Sequence, residues 1–183
     1  MKLLLILFLF IIFSCERNNN VTTYRLAKPK ETLKINTEKD NLDDKLSFAW
    51  DTPSSWMEGK KSSMRLASYS VPFSNGIADL SITNFSGDGG GVLSNVNRWR
   101  KQINLPSQSI DEINANALTE KSKLGDYQIY KIINFENEET AFLCSILSIK
   151  NSTIFVKMSS TKQGIEELGS QFVDFCSSFR YTK

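Results

Sequence analysis

The 183-residue chain contains no histidine. Histidine is the commonest general base near neutral pH and the commonest metal ligand, so its absence excludes serine and cysteine enzymes that depend on an imidazole, and histidine-bound metal sites. An excess of one charge is also lacking, because 22 basic residues face 20 acidic ones and leave a formal net charge of +2. This balance gives no reason to expect a nucleic-acid partner.

Long hydrophobic runs are confined to the N-terminus, where Lys2 precedes an apolar run over residues 3–13. The run is too short to span a bilayer and has the layout of a signal peptide, residues 1–14. It ends at Ile12-Phe13-Ser14-Cys15, which resembles the lipobox of bacterial lipoproteins. The resemblance implies cleavage before Cys15, a diacylglycerol thioether on its sulfur and usually a third acyl chain on the new amino group.

We therefore expect Cys15 to hold the protein on the lipid bilayer of the bacterial envelope, since two or more acyl chains anchor stably. Glu16 stands where the lipoprotein pattern uses Asp to retain a protein at the inner membrane, which favours the periplasmic face of the outer membrane. The alternative is an ordinary signal peptide that leaves Cys15 as a free thiol or a disulfide partner.

Residues 15–46 are rich in Asn, Thr, Lys and Asp and contain few apolar positions. Such a stretch cannot bury enough apolar surface to fold alone, and we expect a flexible tether with a span of roughly 30 Å. The acidic run 40–44 lacks the glycine and the distant glutamate of a calcium loop, so we predict no metal there. A single folded domain is expected over residues 47–183.

A glycine-rich turn at residues 87–91 leads into a predicted amphipathic helix. One apolar stripe recurs at helical spacing: Val92, Val96, Trp99 and Ile103. We expect the glycines to supply positive φ angles and close packing between strand and helix. The alternative is a backbone nest for an anion at Gly89, Gly90 and Gly91, although the turn matches neither the dinucleotide fingerprint nor the P-loop.

Three polar residues of the same helix lie at positions i, i+3 and i+7, namely Asn95, Arg98 and Gln102. They are predicted to form a ridge beside the buried stripe. This ridge is the predicted contact with a partner, and a solvated helix face is the alternative. Because a residue before proline is driven out of the helical region, the helix is expected to end at Leu105-Pro106.

Apolar runs and alternating patterns predict six strands, at residues 64–71, 78–82, 117–123, 127–134, 140–150 and 153–159. The last four follow one another through short turns, which favours an antiparallel meander. Residues 141–147 are apolar on both faces, so helices should cover this strand on both sides. The predicted fold class is α+β, an antiparallel sheet of about six strands flanked by helices.

A C-terminal helix is predicted from one apolar stripe: Ile165, Leu168, Phe172, Phe175 and Phe179. Ser160 and Gln163 form a candidate capping box at its start. Ser159 and Lys162 also match the bare Ser-x-x-Lys of penicillin-binding enzymes, but the companion motifs of that class are missing, and we favour the cap.

Cys144 and Cys176 lie among apolar residues of a predicted strand and a predicted helix. Cysteine in such surroundings usually behaves as a small buried hydrophobe. A disulfide between the two is the alternative, because the exported compartment would permit one.

Several spaced segments of the chain are similar to a group of lipoproteins from aquatic bacteria to which no activity is assigned: Trp50, 53–56, 62–69, 95–99, 154–158 and 172–179. The similarity covers about residues 48–180. The order of the elements also resembles the PsbP-like α/β/α sandwich, an antiparallel sheet between helices. That resemblance implies a fold used mostly to bind protein partners, and it supplies no catalytic residue to transfer.

Two functions follow as hypotheses. The first is a membrane-anchored, non-enzymatic binding or accessory module that contacts an envelope protein or component through a sheet edge or the ridge around Arg98. The second is a small envelope hydrolase or ligand carrier that uses an unrecognised carboxylate, Ser or Thr cluster. A flat patch at the ridge would favour the first, and a concave pocket with converging carboxylates the second. No cofactor is expected.

Overall fold

The computed structural model describes residues 48–60 and 62–182. The predictions for the signal peptide, Cys15 and the tether lie outside these residues. The elements follow in the order β1 (Phe48–Ala49), β2 (Met57–Glu58), β3 (Ala67–Phe73), β4 (Gly76–Ser86), α1 (Gly91–Gln102), α2 (Ile110–Ala115), β5 (Leu118–Ser122), β6 (Gly125–Ile133), β7 (Ala141–Ile149), β8 (Ser152–Ser160), α3 (Lys162–Glu167), α4 (Gly169–Ser177) and β9 (Arg180–Tyr181).

Seven strands form one antiparallel sheet in the order β2-β3-β4-β8-β7-β6-β5, and β1 pairs separately with β9. The predicted meander β5–β8 and the predicted α+β class are confirmed. The segment that contains α1 and α2 connects β4 to β5 across the sheet, and β4 joins the meander at β8. The additional strand, β2, is only two residues long, too short to leave an alternating pattern in the sequence.

The hairpin of β3 and β4 differs in detail from the prediction. Residues 62–65 form a turn closed by a bridge between Ser62 and Arg65, so β3 begins later than expected. The strand also continues through Pro72, which pairs with Ile77. Because β2 pairs with β3 only at Tyr69 and Ser70, the outer edge is open at Pro72 and its missing amide hydrogen is tolerated there.

Apolar side chains form a separate cluster on each face of the sheet. The larger cluster joins one face to α3 and α4 and includes Leu80, Val156, Met158, Phe172 and Phe175. The second joins the other face to α1 and α2 and includes Trp99, Ile113, Phe142, Cys144 and Phe155. Every residue of β7 from Ala141 to Leu147 is buried, which confirms that this strand is covered on both sides.

Cys144 and Cys176 lie on opposite faces of the sheet. Cys144 belongs to the cluster under α1, and Cys176 belongs to the cluster under α4. Both are buried free thiols. Because the sheet separates them, the alternative of a disulfide between them is wrong.

Helix α1 confirms the predicted amphipathic helix, with Val96, Trp99 and Ile103 buried. Its end differs from the prediction. The amide of Leu105 donates to the Arg100 carbonyl and that of Asn104 to the Lys101 carbonyl, while Asn104 has a φ of 58°. This is a Schellman motif, which ends the helix before the proline can act.

The predicted C-terminal helix is divided into α3 and α4 at Leu168, where ψ is 0°. Glycine at position 169 lowers the helical preference at this break. The predicted cap at Ser160 and Gln163 is also wrong. Ser160 is the last residue of β8, and Thr161 is the N-cap, whose hydroxyl accepts from the Gly164 amide at 3.2 Å.

Candidate binding surface

The glycine turn has the geometry expected from the sequence. Gly87, Gly89 and Gly90 have φ angles of 67°, 60° and 91°. A Cβ atom on Gly89 would lie only 2.6 Å from the Cε2 atom of Phe155 on β8. The prediction of positive φ and close strand–helix packing is therefore confirmed.

The alternative prediction for this turn is an anion nest at Gly89–Gly91. In the structure, Asp88 of the chain itself already accepts hydrogen bonds from amides of this segment. Asp88 accepts from the Gly90 amide through Oδ1 at 2.9 Å, and its carbonyl accepts from the Gly91 amide at 3.1 Å. An external anion would have to displace the Asp88 carboxylate and would be repelled by its charge. These contacts favour the structural role of the turn.

The predicted ridge on α1 divides into a buried and an exposed part. Asn95 is only 1% exposed, and its side-chain amide donates to the carbonyls of Gly89 at 3.0 Å and Gly91 at 2.7 Å. It therefore holds the glycine turn on the helix and cannot itself form part of an exposed contact. Arg98 and Gln102 are exposed, and the contact assigned to them stays a prediction.

The side chain that sequence analysis missed is Lys157 in β8. Its amine donates to Gln102 Oε1 at 2.5 Å and lies 3.7 Å from the centroid of the Phe142 ring. Lys157 thus connects the exposed side of α1 to the sheet. The signal in the sequence was a lone lysine inside the apolar run of β8, where a residue facing a covered half of the sheet would be expected to be apolar.

The sheet face on the α1 side is apolar and buried on one side of β8 and largely polar on the other. On the side of β6 and β7, the residues of this face belong to the apolar cluster under α1. On the other side Leu80 and Ile82 face the opposite cluster, so the alternating positions of β3 and β4 face the α1 side. Several of these positions are polar and partly or fully exposed, and with Ser159 we call them the open sheet face: Ser70, Asp79, Ser81, Thr83 and Ser159.

Strand register places Lys157 at the border of this open sheet face. Ser81 lies directly opposite Lys157 on β4, and Cys144 lies opposite it on β7. Arg65 reaches the same region and forms an ion pair with Asp79 at 3.3 Å. The border therefore brings together polar groups from α1, β4 and β8 and the turn before β3.

Burial lowers the pKa of Lys157, and the positive charges of Arg98 and Arg65 lower it further. Cys144 and Asp79 act in the opposite direction. Burial raises the pKa of the Cys144 thiol, however, so it stays protonated near neutral pH and supplies no counter-charge.

Clefts also lie elsewhere on the surface of the described part of the chain. One of about 280 Å³ is lined by Trp50, Glu58 and Tyr69, and one of about 460 Å³ by Arg100, Phe135 and Glu166, among others. Each of these two linings contains a single carboxylate, whereas a third cleft of about 380 Å³ contains two, Asp51 and Asp174, of which Asp51 forms an ion pair with Arg180 at 2.8 Å. Within residues 48–60 and 62–182, no three acidic or cysteine side chains are grouped closely enough to hold a metal ion. None of the helices in these ranges is long and apolar enough to span a bilayer.

No protein-family model matches the chain, and no curated protein matches it either. Among solved structures, cyanobacterial PsbP (CyanoP) from Synechocystis sp. PCC 6803 is 18% identical and has a TM-score of 0.50, with 76% of this chain and 89% of that chain covered. The protein therefore has a PsbP-like fold, as the resemblance implied. This similarity concerns the fold alone.

Two further structures are similar to a lesser degree. A protein from Bacteroides thetaiotaomicron VPI-5482 is 17% identical with a TM-score of 0.45, covering 74% of this chain but only 45% of that one. LpqN of Mycobacterium tuberculosis, involved in cell envelope biogenesis, is 12% identical with a TM-score of 0.40, covering 75% of this chain and 84% of that one.

Proposed function

We propose that the protein is an exported, membrane-anchored lipoprotein that acts as a non-enzymatic binding module of the cell envelope. Acyl chains on Cys15 would hold it on the bilayer, and the open sheet face together with Arg98 and Gln102 would contact an envelope component. The fold does not decide between binding and catalysis, because one fold can carry many functions. The proposal therefore depends on the surface itself.

The observation that carries the binding role is the uneven coverage of one sheet face. Helices α1 and α2 bury the half formed by β6, β7 and β8, whereas the half formed by β3 and β4 carries serine, threonine and aspartate side chains that reach solvent. A broad polar face beside the exposed Arg98 and Gln102 offers many hydrogen-bonding groups without a deep cavity. Such a surface suits contact with a partner better than enclosure of a small substrate.

Site-specific photo-cross-linking tests the binding surface. A benzoylphenylalanine residue would replace Gln102 or Ser70 in the full chain, expressed in its native host. The matched control replaces Lys121, which is exposed on β5 at the far edge of the sheet. We expect the same cross-linked species from Gln102 and Ser70 and none from Lys121. Equal yields from all three positions, or none from the first two, would contradict the proposal.

The anchor is tested separately by metabolic labelling with radioactive palmitate. The Cys15→Ala variant should lose the label and leave the membrane fraction, since the thioether can form only on that sulfur. The matched control is Cys176→Ala, which removes a buried thiol and should keep the label. Label that persists in Cys15→Ala would show that the acyl chains, if any, are attached elsewhere.

A further inference from the structure

Lys157 is a half-buried cation that forms no ion pair with a carboxylate of the described residues. The ion pairs among residues 48–60 and 62–182 are Arg65–Asp79, Lys162–Glu138 and Arg180–Asp51. Lys157 contacts instead the neutral amide of Gln102 and the ring of Phe142. Taking a charge partly out of water costs free energy, which these two contacts offset, but neither of them neutralises the charge.

Arg98 supplies a second positive charge, close enough to lower the pKa of Lys157. It lies one helical turn before Gln102, which holds the Lys157 amine at 2.5 Å, and residues four apart on a helix are neighbours. One guanidinium nitrogen donates to Asn95 Oδ1 at 2.5 Å, which orients the group. A guanidinium has five N–H donors, so donors remain for another ligand.

The local charge balance is positive. Arg65 and Asp79 neutralise each other at 3.3 Å, whereas Arg98 and Lys157 leave two charges uncompensated within the described residues. A phosphate monoester carries about −1.5 to −2 charges at neutral pH, and it has three strong acceptor oxygens. A carboxylate would neutralise only one of the two positive charges of Arg98 and Lys157.

We propose that Lys157 and Arg98 bind a phosphate monoester at the junction of α1 and the open sheet face, with Ser81 and Gln102 beside it. The inference rests on the proposed function, because it names the chemical group that the binding surface recognises. The phosphate can belong to a soluble metabolite or to a lipid headgroup at the membrane on which the protein is anchored. The two sources share one chemistry and can be separated by experiment.

The test uses the full chain, labelled with ¹³C at lysine Cε and reconstituted in phosphatidylcholine nanodiscs. The Lys157 resonance is assigned by its loss in Lys157→Met, which keeps the length of the side chain. Inorganic phosphate is titrated at constant ionic strength, and a second set of discs contains phosphatidic acid. The variants are Lys157→Met and Arg98→Gln, and the matched control is Lys121→Met on the exposed edge strand β5.

We expect phosphate to raise the pKa of Lys157, because a bound anion favours the protonated amine. The affinity for phosphate, measured by isothermal titration calorimetry, should fall about tenfold or more in Lys157→Met and Arg98→Gln and stay unchanged in Lys121→Met. A response to inorganic phosphate identifies a soluble phosphate source, and a response only in discs with phosphatidic acid identifies a lipid source. Either response supports the proposal.

The proposal is overturned if neither probe moves the Lys157 resonance of the natural chain, or if Lys157→Met and Arg98→Gln bind phosphate as tightly as the natural chain in calorimetry. Arg98 is exposed, so the phosphate affinity of Arg98→Gln in calorimetry keeps the test decisive even if Lys157→Met does not fold. Failure here combined with cross-links from Gln102 and Ser70 would reject the phosphate ligand alone. Loss of the cross-links as well would reject the binding surface.

Discussion

The ring of Phe155 lies against Gly89 so closely that a Cβ atom on the glycine would be 2.6 Å from the Phe155 Cε2 atom. Phe155 is itself held at an edge-to-face angle by Trp99, with ring centroids 6.1 Å apart. The glycine turn, β8 and α1 therefore meet at one tightly packed point. This contact connects the glycine-rich motif of the sequence to the core.

The Gly89→Ala variant is expected to lose about 2–4 kcal/mol of unfolding free energy, because the positive φ is strained and the new methyl group overpacks the ring. Gly87→Ala is the matched control. Gly87 has a similar φ of 67° but no atom within 4 Å of its Cβ position. It should lose only about 1–2 kcal/mol. Urea unfolding monitored by circular dichroism measures both, and equal losses would contradict the packing argument.

Asn95→Ala is expected to destabilise the protein by about 1–3 kcal/mol, because the carbonyls of Gly89 and Gly91 lose their side-chain donor. Ser94 is exposed on the same helix, and Ser94→Ala should stay within about 0.5 kcal/mol of the natural chain. Thermal unfolding of the two variants checks this. An Asn95→Ala variant as stable as Ser94→Ala would place Asn95 on the surface after all.

Two neighbouring hydroxyls at the start of α3 should behave differently. Thr161→Ala removes the N-cap and is expected to cost about 0.5–2 kcal/mol. Ser160 Oγ is buried and has no hydrogen-bond partner among residues 48–60 and 62–182, so Ser160→Ala should be neutral or slightly stabilising. The chemical denaturation midpoints of the two variants measure this difference in stability. The reverse order of stabilities would restore Ser160 as the cap.

Stability is expected to fall in alkaline solution through two buried phenols. Burial raises the pKa of Tyr127 to about 12 and that of Tyr130 to about 12. The folded state thus holds these protons more tightly than the unfolded chain, whose tyrosines ionise near pH ~10. The contribution of the phenols is therefore complete below about pH 10 and is lost as the pH rises towards about 12.

Unfolding free energies measured at about pH 9 and about pH 11 test this pH dependence. The double variant Tyr127→Phe, Tyr130→Phe should show a smaller decrease between the two values. Tyrosinate absorbance provides an independent check. Full ionisation of all tyrosines of the folded protein near pH ~10 would be incompatible with the burial of these two hydroxyls.

The two cysteines of the folded domain should be unreactive. Burial raises the pKa of both the Cys144 and the Cys176 thiol, and only the thiolate is a good nucleophile. Iodoacetamide is therefore expected to label neither residue in the folded protein and both in urea, as measured by peptide mass spectrometry. A Cys144–Cys176 bridged peptide would contradict their separation by the sheet.

Much of the fold could be predicted because the spacing of apolar residues within a short segment distinguishes a helix from a strand. The stripe of Val96 and Trp99 indicated α1, and the doubly apolar run from Ala141 to Leu147 indicated an interior strand. Errors arose where contacts distant in sequence decide. The open edge at Pro72 lets β3 continue, and β8 takes Ser160 into the sheet and leaves the cap to Thr161.

Only part of the candidate site could be predicted from the sequence, for a similar reason. Arg98 and Gln102 could be placed on one ridge because helical spacing alone puts them there. The burial of Asn95 depends on the path of the glycine turn, and the position of Lys157 depends on where α1 crosses the sheet. Neither is a property of a local window of sequence.

The amino-acid sequence by itself determined the helices, the meander and the covered strand, because hydrophobic periodicity records which side of each element must leave water. The alternation of apolar and polar residues over 78–83 also predicted that one face of β4 is half-buried. Only the tertiary structure decided that the polar face of this strand lies on the side of α1 and α2. That choice leaves the polar side chains of β3 and β4 in solvent and Lys157 at the border. The physical reason is that α1 and α2 are too short to cover seven strands, so one part of the face keeps its contact with water.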